Sequence, residues 1–160
     1  MDKGISCWQK TSNTTQISND SKLNPMNNSE PNPIEELRKH NEALEQSPEY
    51  QQISPEVMNE VYSQYVKEEI ERSERYLERE DAEEDDDVFA SLYRSQREST
   101  ERKLNEAKML MPDYPEQAAQ VFMQLGSCHR IWAIQKQILK EKYDITWYSP
   151  AELHPEIKFD

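Results

Sequence analysis

Glycine occurs only twice in these 160 residues, at Gly4 and Gly126. Tight β-hairpin turns need backbone at positive φ, and phosphate loops need glycines that let the main chain approach an anion closely. A chain with so little glycine has almost nothing from which to build either. Its prolines instead sit where helices begin or stop. Asn32-Pro33, Ser54-Pro55, Tyr114-Pro115 and Ser149-Pro150 are start signals, with a capping side chain or a proline at the first helical position, and Ser47-Pro48 and Pro112 are stops. The expected fold is therefore mainly α, a small bundle of three to four helices.

Apolar periodicity places the helices. Ile34, Leu37, Asn41 and Leu44 recur at helical spacing to about Gln46. A second amphipathic helix is expected over 55–80, with Met58, Tyr62, Tyr65, Val66, Ile70 and Leu77 on one face and glutamate and arginine on the other. A third carries Phe89, Leu92, Tyr93, Gln96, Thr100, Leu104, Ala107 and Met111. Its middle is polar, so it packs at its two ends or projects into solvent. The fourth is the most apolar: from Pro115 to Tyr143, Ala118, Val121, Phe122, Leu125, Cys128, Trp132, Gln135, Ile138 and Leu139 repeat at three and four. Pairs of these helices could pack in antiparallel, coiled-coil-like fashion, but the heptads are too short for a long coiled coil.

Three regions follow. Residues 1–33, rich in Ser, Thr, Asn and Gln, read as a disordered polar arm whose one aromatic is Trp8. Residues 34–111 form an acidic helical region, and residues 112–160 a compact helix with an extended aromatic tail. That tail holds Ile145, Trp147, Tyr148, Leu153, Ile157 and Phe159, with Ser149-Pro150-Ala151-Glu152 as a capping box. So many large apolar groups need cover, so the tail is expected to fold back over the fourth helix.

Charge narrows the function. The net charge is −13, and residues 34–111 alone hold 11 basic and 22 acidic side chains. Nucleic acid and anionic membrane surfaces both call for a basic footprint, so neither is expected as a partner. Stacked carboxylates could imitate nucleic acid, but Arg72, Arg75 and Arg79 interleave with them. No apolar run reaches the ~20 residues of a membrane span, and MDKGISCWQK lacks the apolar core of a signal peptide. Two cysteines, Cys7 and Cys128, do not make a disulfide framework. A soluble, cytoplasmic protein is expected.

The chemistry-bearing residues favour no reaction. In the acid run EREDAEEDDD, residues 78–87, Asp81, Glu83 and Asp85 alternate as in a calcium loop. An EF-hand needs glycine at its sixth position and glutamate at its twelfth, where Asp86 and Leu92 stand. Cys128 and His129 are adjacent on a helix and diverge by about 100°, so they do not converge on one ion or one proton. Structural zinc takes four ligands, and no Cys or His pair here has that spacing. Gly126 in mid-helix costs about 1 kcal/mol against alanine, which suggests that another backbone lies against it.

A non-catalytic protein is therefore expected, with no cofactor and no metal, that binds another protein as adaptor, inhibitor or subunit. The acidic residues Asp81, Glu83, Glu84, Asp85, Asp86 and Asp87 would steer a basic partner. Trp132, Trp147 and Tyr148 would supply the buried contact. The competing expectation is a small enzyme or metal protein centred on Cys128, His129 and His154.

Overall fold

A computed structural model describes residues 32–79 and 87–159. The polar arm, Cys7, Trp8 and residues 80–86 of the acid run lie outside the described residues, apart from Asn32 and Pro33 at the end of the arm. The described chain forms six helices: α1 Pro33–Gln46, α2 Pro48–Leu77, α3 Asp87–Leu110, α4 Pro115–Phe122, α5 Ser127–Tyr143 and α6 Pro150–Leu153. The fold is mainly α, as expected.

Ser47 separates α1 from α2. Its hydroxyl donates to the Leu44 carbonyl at 2.7 Å, closing α1, and accepts the Tyr50 N–H at 3.2 Å, capping α2. Helix α2 then runs 30 residues with Pro55 inside it. That corrects the expected start at residue 55. Proline removes one backbone donor and crowds the preceding turn, yet Tyr50, Val57, Val61 and Tyr65 keep one buried stripe across it. Packing along the stripe outweighs the local penalty. The buried face is also rotated from the expected one. Val57 and Val61 are sealed, while Met58, Tyr62 and Ile70 pack at the edge of the core.

α2 is the hub, touching α1, α3, α4 and α5. Its stripe meets Ala107 of α3, Ala118, Ala119 and Phe122 of α4, and Ile131, Ile134, Ile138 and Leu139 of α5. Each fully buried large side chain contributes about 1.5–3 kcal/mol of transfer free energy, so this seam carries most of the stability. The alanines let α3 and α4 approach α2 closely. Helix α3 packs through its second half, by Leu104 and Ala107, and its first turns stand away from the core.

The long fourth helix is two helices. A connection over 123–126 breaks it, and Gly126 sits at φ +83°, the left-handed region, as the residue preceding α5. A Cβ there would meet nothing within 4 Å. The expectation that another backbone lies against Gly126 is thus overturned: its glycine serves a turn, not a close approach. Ser127 fixes that turn. Its Oγ accepts the Gln124 N–H at 3.0 Å and the buried Tyr65 hydroxyl at 3.1 Å. Leu125, expected on the core face, is 84% exposed because the break turns it outward.

Beyond α5 the chain reverses at Asp144, itself at φ +53°. Aspartate is among the few non-glycine residues that tolerate this region. Lys140 Nζ holds its carboxylate at 2.5 Å. The tail then returns over α5, as expected, and also along α1, which was not expected. Trp147 is 1% exposed within the core cluster, and Phe159 stacks edge-on against Trp132 with ring centroids 5.2 Å apart. The capping box at Ser149 and Glu152 is present with both of its reciprocal bonds.

Candidate functional site

The tail is fastened to α1 by a row of side chains one helical face wide. Arg38 Nε donates to the Leu153 carbonyl at 2.8 Å, and His40 Nε2–H donates to the Thr146 carbonyl at 2.8 Å. Asn41 is buried and bonds both polar groups of the Tyr148 main chain. Glu45 accepts the Trp147 indole N–H at 3.3 Å. The bonds satisfy main-chain groups of the non-helical stretch Thr146–Tyr148, the Trp147 indole, and the carbonyl at the end of α6.

α5 fastens the other side. Lys136 Nζ meets Glu152 at 2.5 Å and lies 5.5 Å from the centroid of the Tyr148 ring. His129 Nε2–H donates to the Phe159 carbonyl at 2.6 Å and stands edge-on to Trp132. Burial pushes the Glu152 carboxyl up, but Lys136 and the Ser149 N–H and hydroxyl pull it down further, leaving it below the usual carboxylate range. Glu156 is also held low, first by a backbone hydrogen bond and then by His154 and Arg38.

This layout decides where the expected contact residues stand. Trp132 and Trp147 are buried within the chain, so they hold the protein together and present no open face. Tyr148 is half-buried, its ring between Lys136 and His40. Asp81, Glu83, Glu84, Asp85 and Asp86 lie outside the described residues, and Asp87 opens α3.

Two residues beyond Asp87, the first turns of α3 expose Phe89 (59%) and Leu92 (65%). Neighbouring Tyr93 leans on Tyr76 of α2, with ring centroids 6.2 Å apart. Arg97 reaches back to the Leu77 carbonyl at 2.8 Å, tying this outer part of α3 to the end of α2. The sequence placed Phe89 and Leu92 on the packed stripe. The signal against that was the polar stretch SQRESTERK, which separates them from Leu104.

The residues proposed for chemistry are dispersed. Cys128 is a buried thiol in the core cluster. His129 is turned to the Phe159 carbonyl, and His154 Nδ1 lies 3.2 Å from Arg38 Nη2 and 3.3 Å from Glu156 Oε1. Among the described residues no group of three or more His, Cys, Asp or Glu is placed to hold a metal. No described helix is long and apolar enough to cross a membrane.

A polar cluster joins α2 to α5. Arg130 lies 5.2 Å from the centroid of the Tyr65 ring, bonds Glu68 at 3.0 Å and pairs with Glu69, whose side chain is only 12% exposed. Arg72 meets the same Glu69 oxygen at 3.3 Å. Two guanidinium groups on one nearly buried carboxylate neutralise a charge that burial would otherwise penalise. The arrangement is structural.

No protein-family model matches this chain, and no curated protein or solved structure is significantly similar to it.

Proposed function

We propose that this is a non-catalytic, cytoplasmic protein that binds another protein through the outer end of its α2–α3 hairpin. One juxtaposition carries the reading: a run of eight acidic residues among ten, 78–87, leads directly into a helix whose first turns expose Phe89 and Leu92. Exposed apolar groups rimmed by one sign of charge suit a partner segment with the complementary pattern. That partner is basic and amphipathic. A second copy of this chain is a poor occupant, because a net charge of −13 on each would place like charges together. Trp132 and Trp147 contribute by bracing the fold, while Tyr148 stays partly accessible.

The enzyme and metal readings have less support. The thiol of Cys128 is buried, and His129 and His154 each spend a ring nitrogen on fastening the tail.

The test is affinity capture from the native host with three baits: the native chain, a Phe89→Ser/Leu92→Ser variant, and a chain with residues 80–87 neutralised to Asn and Gln. A basic protein retained by the native bait at low salt and lost from both variants supports the reading. A partner retained equally by all three overturns it.

A further inference from the structure

An apolar groove of about 410 Å³ runs between the outer face of α5 and the start of the tail. Ala133, Gln137 and Lys140 line it from α5, and Ile145, Thr146 and Trp147 from the tail. We propose that this groove is the docking site for Trp8 of the chain's own N-terminal arm.

Its lysines do not call for an acidic occupant. Lys136 is paired with Glu152 and Lys140 with Asp144, each at 2.5 Å. Glu141 also lines it, its carboxylate accepting from Gln137 Nε2 at 3.0 Å, so what remains is an apolar trough with a weakly acidic rim, which suits an uncharged, flat side chain. Trp8 is the sole aromatic residue among the first 49, and residues 1–33 carry no net charge. A tryptophan brings a large apolar surface together with one N–H donor that can stay at the wet rim.

The geometry of the tether allows it. His40 bonds the carbonyl of Thr146, a residue that lines the groove. Asn32 precedes His40 by eight residues of helix, about 12 Å. From Asn32 back to Trp8 there are 24 residues, and a coil of that length spans about 25–30 Å. The arm therefore starts within reach of the groove, and tethering gives Trp8 an effective concentration on the order of millimolar. A separate molecule lacks that advantage, and a second copy also meets repulsion from a chain of the same sign.

Cys7 provides the probe, because it adjoins Trp8 while Cys128 is buried. A nitroxide placed on Cys7 of the full chain is expected to weaken the amide signals of Ala133, Gln137, Ile145 and Thr146 severalfold against the diamagnetic control. Trp8→Ala is expected to restore them. Three results overturn the proposal: no localised weakening, weakening centred elsewhere such as at Phe89 and Leu92, or weakening that survives Trp8→Ala. Weakening that appears when labelled, isotope-silent protein is mixed with unlabelled, isotope-enriched protein also overturns it, since the contact is then between copies.

Discussion

Asn41 holds the main chain of Tyr148 from both directions. Its amide nitrogen donates to the Tyr148 carbonyl at 2.6 Å, and its amide oxygen accepts the Tyr148 N–H at 3.0 Å. A side-chain amide reproduces here the two-way pairing that a neighbouring strand gives in a sheet. Asn41→Ala removes both bonds and leaves two partly buried main-chain groups unmatched. The expected loss is about 2–3 kcal/mol by urea denaturation, with early loss of hydrogen-exchange protection at Tyr148. The exposed cap variant Asn32→Ala should cost only about 0.5–1 kcal/mol.

Gly126 gives a prediction whose sign discriminates. In the middle of a helix, replacing glycine by alanine stabilises by about 1 kcal/mol. At φ +83° the same change is strained, although the space around it is open. Gly126→Ala should therefore destabilise by about 1–2 kcal/mol, and Gly126→Asn by less. Thermal unfolding of the two variants checks this.

Arg130 neutralises Glu69 where Glu69 has little solvent. Arg130→Leu should cost about 2–3 kcal/mol, less than a fully buried pair because the arginine is itself partly exposed. Arg72 still meets Glu69 in that variant, so adding Glu69→Gln should recover only part of the loss. A double-mutant cycle measured by chemical denaturation reads the coupling directly.

The tail responds to acid through Glu152 and Glu156. Glu152 and Glu156 titrate below the usual range when folded, so their contribution is present above the unfolded carboxylate value of ~4.3 and lost as pH falls through the lowered values. Tyr50 is the opposite case: burial, aided by the Glu45 charge, pushes its phenol up. Its contribution is complete below a pH of about 10 and lost as pH rises through the raised value. An NMR titration should show the Glu152 and Glu156 carboxyls protonating at lower pH than an ordinary glutamate, and Lys136→Met should move the Glu152 transition upward.

Helix class and most helix starts were legible because Asn32-Pro33, Tyr114-Pro115 and Ser149-Pro150 are local signals that packing had no reason to override. Pro55 misled for a physical reason: the stripe from Tyr50 to Val57 runs through it, and burial outweighs one missing backbone bond. The break at 123–126 was hidden because Val121, Leu125, Cys128 and Trp132 keep helical spacing across it. Gly126 was read by its cost inside a helix, where its positive φ was the better clue. Asn41 was placed on the α1 stripe by spacing alone, and nothing near it marks its partner, which lies 107 residues away. The exposure of Phe89 and Leu92 depends on where α3 leaves the core, which periodicity does not encode.

That same separation has a consequence for how the protein is made. α1 leaves the ribosome early, yet the groups that fasten it, from Thr146 to Glu156, are translated more than a hundred residues later. Its isolated 14 residues are near the lower limit for a helix that persists alone in water. Until the tail is made, α1 is held only by its contact with α2, and a chain cut short before the tail would leave the face of α1 that meets Thr146 to Glu156 open to proteases.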